Sequence, residues 1–272
     1  GGKYSRISER RLKDAERCEQ IPLGAGFGEY KMITSTSNKK IKELVAMVKK
    51  SGVGKKKNAY IIEGIRMFSE LKPEEILEVF VSESFENENK SLLKDIFPEY
   101  ETVSDRVFDS ISDTKTPQGV LAVAKRKEYT LESILKNAQE PLSLLILDGL
   151  QDPGNLGTLV RAGEGAGISG IIMSENTVDI YNPKVIRSTM GSIFRVPFIY
   201  VKDLKEVIDK LNSKGISVYA SSLEGAIEYD RPDYKKDTAF IIGNEAAGIS
   251  KEILDTTDKK IKIPMLGEVE SL

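Results

Sequence analysis

Two kinds of hydrophobic pattern alternate through the second half of the chain. Continuous apolar runs of strand length, LSLLILDGL (142–150), ISGIIMSE (168–175), VPFIYV (196–201), ISVYASS (216–222), TAFIIGNE (238–245) and KIKIPM (260–265), are the first kind. Between most of them lie stretches whose apolar positions recur every three or four residues. GTLVRAGEGAG, NPKVIRSTMGSIF and KDLKEVIDKLNSKG read as helices, the second capped by Asn182 with Pro183 in its first turn, the third ended by Gly215. Strands that are apolar on both sides and joined through helices predict an α/β fold: a parallel sheet with helices on both faces. Such sheets bind ligands at the carboxyl ends of their strands.

The first half is less regular. Ser37 or Asn38 caps a helix over KKIKELVAMVKK, whose stripe is Ile41, Leu44, Val45 and Val48, and SGVGKKK reads as a loop. From Asn58 the order is strand (AYIIEG), helix (IRMFSELKP), strand (ILEVFVSE), helix (NKSLLKDIF), a short helix in VSDRVFDSIS, a turn at TKTPQG and a strand, VLAVAKR. KEYTLESILKNAQEP, closed by Pro141, reads as a linking helix or tether. Residues 1–31 share no period with the rest of the chain and read as an upstream extension or expression remnant. The expected organisation is therefore an extension (1–31), a smaller α/β domain (32–127), a linker (128–141) and a parallel-sheet domain (142–272).

Composition narrows the chemistry. With 272 residues, 40% hydrophobic and 30% charged, the chain has the make-up of an ordinary globular protein, and none of its apolar runs reaches the roughly 20 residues of a membrane span. No secretory apolar segment opens it, so a cytoplasmic location is expected, and the sequon Asn89-Lys90-Ser91 is read as chance. A single cysteine, Cys18, and no histidine leave no usual ligand set for a metal, and Cys18 is read as a bystander. The net charge of −2 hides a cluster: residues 32–57 hold eight lysines (Lys39, Lys40, Lys42, Lys49, Lys50, Lys55, Lys56, Lys57) against Glu43 alone. That cluster is either a solvated helix face or a surface that contacts phosphates.

Gly165-Ala-Gly167-Ile-Ser-Gly170 satisfies the dinucleotide fingerprint G-x-G-x-x-G literally, but it closes a predicted helix and precedes a strand, the reverse of the required context. Helix termination and close packing explain those glycines better. Three other stretches each follow an apolar run: LDGLQDPGNLGTLVRAGE, FIIGNEAAGIS and IKIPMLGEVESL. Asn155 can cap the helix or project its amide from the helix start, and Arg161, six residues on, faces the same end of the sheet or is a surface arginine. Glu245 places a carboxylate at a strand end or caps the next turn, while Gly243 permits close approach of a ligand or serves the turn alone.

The order DPGN-x-G-x-x-x-R, IIGNE, IPM-x-G-x-x-x-SL resembles the three signature motifs of the SpoU (TrmH-like) family of RNA ribose 2′-O-methyltransferases, and NPKVIRSTMGSIFRVP between the first two resembles it too. The likeness covers residues 142–272. YIIEGIRMFSEL and TKTPQGVLAVAK are similar to the ribosomal-protein-like RNA-binding domain often fused ahead of it, over residues 55–127. The resemblance implies a carboxyl-terminal segment threaded into a trefoil knot, S-adenosylmethionine as cofactor and a homodimer, while the composition leads to the expectation of no metal and no membrane partner. The resemblance further implies that Gly243, Ile263 and Leu272 hold the cofactor and that Asn155, Arg161 and Glu245 form the reaction site, with ribosomal RNA the expected substrate; within the lysine cluster, charge makes Lys55, Lys56 and Lys57 the expected RNA contacts. The likeness also answers how a histidine-free chain could work: a sulfonium leaving group is already activated, so positioning the ribose hydroxyl supplies much of the rate. In the family the arginine matching Arg161 is assigned either to take the ribose hydroxyl proton or to bind the adjacent phosphate, and because guanidinium stays protonated the phosphate clamp is the more natural role. Two departures stand out: Ala246 where the family more often has glycine, and an end at Leu272 where the family continues with an Asn-Val-Ser-type segment and a final helix. The alternative is an RNA-binding protein that keeps the fold without the chemistry.

Overall fold

A computed structural model describes residues 32–50, 52–96 and 99–267. The extension with Cys18, and Leu272, lie outside the described residues. The chain divides into two compact units, with the break between Arg126 and Lys127.

The first unit carries helices α1 (Lys39–Lys49), α2 (Val53–Lys56), α3 (Ile65–Phe68), α4 (Glu83–Ile96) and α5 (Asp105–Ile111). Its strands β1 (Ala59–Glu63), β2 (Ile76–Ser82), β3 (Glu101–Val103) and β4 (Val120–Lys125) form one sheet in the order β1-β4-β2-β3. β4 runs antiparallel to both neighbours, and β3 is parallel to β2. Asn38 caps α1 through its side chain, which accepts from Lys40 N at 2.8 Å. The helix then turns Ile41 and Leu44 into a core with Ile61, Phe80, Val107, Phe108 and Leu121. Two local readings change. SGVGKKK is not only a loop: Gly52 adopts φ 90° and the chain winds the short turn α2 after it. β3 was not anticipated, because Glu101-Thr102-Val103 is too short and polar to show a period.

The second unit holds β5 (Ser143–Leu147), β6 (Gly170–Ser174), β7 (Phe198–Val201), β8 (Ser217–Ser221), β9 (Ile227–Glu228), β10 (Thr238–Ile242) and β11 (Lys259–Lys262). They form a seven-stranded sheet in the order β7-β6-β5-β10-β8-β11-β9. Every pairing is parallel, so all strand carboxyl ends share one edge. Helices α6 (Leu131–Asn137), α7 (Pro153–Ala166), α8 (Pro183–Thr189), α9 (Leu204–Ser213) and α10 (Lys251–Thr256) complete the unit. Burial explains the unbroken apolar runs: β6 is buried at all of its positions, and β5 at all but the first. Leu144, Ile146, Ile172, Ile208, Leu211, Val218 and Ile241 belong to one core, with Ile146 registered against Ile241.

Helix α6 does not behave as a free tether. Thr130 caps it, accepting from Ser133 N at 3.1 Å, and Leu131 and Ile134 are buried in the same core as the sheet. A Cβ on Gly170 would come within 2.6 Å of the Ile134 side chain, so this glycine lets α6 sit tight against the start of β6. The G-x-G-x-x-G match falls where the context argument put it: α7 ends at Ala166, Gly167 caps it at φ 75°, and Gly170 opens β6.

Candidate active site

Helix α7 begins at the carboxyl end of β5, and its start is built by Asp152, not Asn155. The Asp152 side chain accepts from Asn155 N at 2.8 Å, and Pro153 occupies the first turn, where its missing N–H costs nothing. The capping alternative for Asn155 is therefore excluded and its amide is available. Asn155 Nδ2 donates to Glu245 Oε1 at 3.2 Å, joining the loop after β5 to the loop after β10.

Glu245 does more than meet Asn155. Its Oε1 also accepts from Asp152 N at 2.8 Å, and Oε2 accepts from Gln151 N at 3.1 Å. Burial by itself would raise this carboxyl, but the backbone N–H groups of Gln151 and Asp152 and the Asn155 amide outweigh it and hold the group below its ordinary value of 4.5. At neutral pH Glu245 is an anion. The neighbouring Asn244 works on the same seam: its Nδ2 donates to Gly149 O at 2.8 Å, and its Oδ1 accepts from Ala246 N and Ala247 N, each at 3.0 Å. Backbone bonds between Asn244 and Gly248, both 2.9 Å, close the loop into a tight hairpin.

At Gly243 the turn itself demands glycine, one of the two readings its sequence context offered. A Cβ at this position would fall 2.1 Å from Gly248 C and 2.2 Å from Ile249 N. The close approach is that of the chain's own loop, and Ala246 is accommodated by it through the bond to Asn244 Oδ1. The loop after β6 supports the arrangement from the other side. Gly149, at φ 71°, donates its N–H to Ser174 Oγ at 2.8 Å, and Gln151 Nε2 donates to Asn176 O. Asn244, Ser174 and Asn176 were missed by sequence reading. The available signal was short polar residues closing an apolar run, in IIGN and in IIMSEN.

Among the described residues no hydrogen bond joins the other predicted residues to the Asn155–Glu245 pair. Six residues of helix carry Arg161 about 9 Å along the axis and about 120° round it, where its Nη1 meets Met190 Sδ at 3.4 Å, just past α8. Ile263 follows β11, at the same sheet edge but separated from β10 by β8, and it is 54% exposed. Among the described residues no hydrogen bond links Ile263 to Asn155 or Gly243. Leu272 lies outside them. Lys55, Lys56 and Lys57 are exposed in the first unit, with Lys57 bonded to Glu43. No metal-binding cluster occurs among the described residues.

Comparison with known proteins gives this seam a context. The profile of the SpoU rRNA Methylase family matches residues 143–272, and that of the MRM3-like substrate binding domain matches residues 38–122. The chain is 32% identical over 245 residues to the 23S rRNA (guanosine(2553)-2'-O)-methyltransferase RlmP of Bacillus subtilis (strain 168), covering 89% of this chain and 94% of that protein. Its structure is similar to that of an AdoMet-bound rRNA methyltransferase from Sinorhizobium meliloti, with a TM-score of 0.77, 27% identity, and coverage of 90% of this chain and 93% of that one. The SpoU methyltransferase AviRb from Streptomyces viridochromogenes, with AdoMet bound, shares the fold at a TM-score of 0.76 and 23% identity, over 86% of this chain and 92% of that one. With 94% of such a relative's length matched at 32% identity, and the family profile aligned over residues 143–272, the chain belongs to the SpoU rRNA methylase family.

Proposed function

We propose that this chain is an S-adenosylmethionine-dependent methyltransferase that modifies a ribose 2′-hydroxyl in ribosomal RNA. The observation that carries the reading is the Asn155–Glu245 bond, which unites the first two signature motifs at the carboxyl edge of a parallel sheet. The residues around that edge fit the cofactor. Leu223 after β8, and Ile263 and Leu266 after β11, follow strands that end at that edge and are exposed at 62%, 54% and 105%, apolar side chains of the kind an adenine ring packs on. The compact Gly243–Ile249 loop beside them offers backbone groups. Gly243, Ile263 and Leu272 are the residues assigned to hold it. When bound, the cofactor supplies a methyl group on a sulfonium centre that departs as a neutral thioether.

The chain's own task is to bring the ribose oxygen to that methyl group. Asn155 and Glu245 fix the hydroxyl's surroundings, and Arg161 clamps an adjacent phosphate with its planar fork. The first unit, with Lys55, Lys56 and Lys57, binds the RNA. The trefoil knot, with the carboxyl-terminal segment threaded, belongs to the same reading. So does a homodimer, expected to sediment at about twice the 30.1 kDa chain mass. The non-catalytic alternative is disfavoured by the assembled pair of motif residues. Incubating the chain with labelled S-adenosylmethionine and ribosomal RNA, then mapping ribose methylation, tests the reading: 2′-O-methyl incorporation at a defined nucleotide is expected, and none with any ribosomal RNA fragment would reject it.

A further inference from the structure

The four nearest donors to Glu245 leave its carboxylate little room for acid–base work. Oε1 holds Asp152 N (2.8 Å) and Asn155 Nδ2 (3.2 Å); Oε2 holds Gln151 N (3.1 Å) and, more weakly, Asn244 Nδ2 (3.4 Å). A carboxylate offers about four acceptor positions. Taking a proton would release the loop that begins α7. The other carboxylates on that loop are similarly engaged: Asp148 Oδ2 accepts from Ser250 N and Asp152 Oδ1 from Asn155 N, each at 2.8 Å.

The same bond settles the orientation of the Asn155 amide. An ionised carboxylate only accepts, so Nδ2 must be the atom turned toward Glu245. Oδ1 is then what this exposed side chain offers to a substrate, and a hydroxyl poised to attack needs an acceptor that draws its O–H aside and directs a lone pair at the electrophile. We propose that Glu245 is a positioning residue, and that Asn155 Oδ1, held in its orientation by Glu245, is the acceptor that grips the ribose 2′-hydroxyl. The inference rests on the methyltransferase reading above. In the step, an O–CH3 bond forms at the ribose oxygen, the S–CH3 bond breaks with its electron pair remaining on sulfur, and the hydroxyl proton passes to solvent water, since an amide does not retain it.

The test compares the full chain with Asn155→Ala, Asn155→Asp, Glu245→Gln and the double variant that combines Asn155→Asp with Glu245→Gln. Asn155→Ala is expected to lower kcat about 100-fold with KM for RNA within about threefold. Asn155→Asp sets one carboxylate against another and lowers kcat as well. The double variant restores a donor–acceptor pair with the roles exchanged, the introduced glutamine amide donating to the introduced carboxylate, and recovers at least about tenfold over Asn155→Asp. Glu245→Gln alone slows kcat without changing the shape of its pH profile. Even without cofactor or RNA, it speeds hydrogen exchange at the Gln151 and Asp152 amides.

Loss of an ionisation from the pH profile in Glu245→Gln would make Glu245 a base and overturn the proposal. So would unchanged kcat in Asn155→Ala, unchanged amide exchange, or a double variant no better than Asn155→Asp. A wild-type chain that methylates RNA alongside any of these results leaves the functional reading standing. A wild-type chain that methylates none removes both.

Discussion

At Gly243 a single hydrogen atom decides whether the loop after β10 can close. Replacing it with alanine puts a methyl group 2.1–2.3 Å from the backbone of Gly248 and Ile249, which cannot move aside as a flexible side chain would. Gly243→Ala is expected to lower stability by about 1–3 kcal/mol, and to weaken S-adenosylmethionine binding more than RNA binding, as calorimetry and thermal melts would register. Arg161→Ala should do the opposite. Its guanidinium is exposed and, among the described residues, hydrogen-bonds only to the Met190 sulfur, so stability should change by no more than about 0.5 kcal/mol while methyl transfer falls steeply. An equal loss of folding and activity would mark Arg161 as structural.

Glu245 supplies a pH prediction at the same scale. Because its folded-state value is depressed, its contribution to stability is complete above the ordinary carboxylate value of 4.5 and is lost as pH falls through the lower folded value. A carbon-13 titration of its carboxyl should show a midpoint below 4.5, and a midpoint above it would mean that burial prevails over the donors. None of this could be read from the chain itself. Asn155 and Glu245 are 90 residues apart, and a motif names its residues without saying which atoms they exchange. The sequence made Asn155 a possible cap; Asp152, three residues earlier, took that role and released it.

Among the elements, those that pack on both sides were the most legible. β5 and β6 appear as runs of Leu, Ile and Met because a covered parallel strand has no solvent face to encode. β3 and the two-residue β9 were illegible: strands that short take their conformation from the neighbour they pair with. Helix α10, six residues long, was too short to show a stripe. The lysine-rich segment after α1 was legible as charge but not as geometry. Lys57 is engaged by Glu43 on the surface, an attachment salt can screen, while Lys55 and Lys56 form no such pair among the described residues. Lys55→Ala combined with Lys56→Ala should therefore reduce the slope of log K against log salt for RNA binding by about 1–2, and Lys57→Ala should reduce it less. An unchanged slope in the double variant would remove this segment from the RNA footprint.

For the whole molecule, the division at Arg126 and Lys127 makes a prediction that separates a tether from a core element. A fragment beginning at Lys127 keeps α6, with Leu131 and Ile134 in place, and should fold on its own. One beginning at Leu142 exposes the cavity those side chains fill and should melt at a markedly lower temperature, since removing two buried aliphatic side chains costs several kcal/mol, about 2–5 for each. Equal melting of the two fragments would return α6 to the status of a linker. Strand order has a further consequence. β10 lies at the middle of the second sheet, between β5 and β8, yet it is the sixth of that sheet's seven strands along the chain. A nascent polypeptide that has emerged only as far as Ser221 holds short strands with open flanks and nothing to fill the gap between them. The second unit must therefore wait, during synthesis, for its centre to arrive, with sticky edges exposed in the meantime. Ribosome pausing between codons 222 and 242 should make this protein unusually dependent on chaperones.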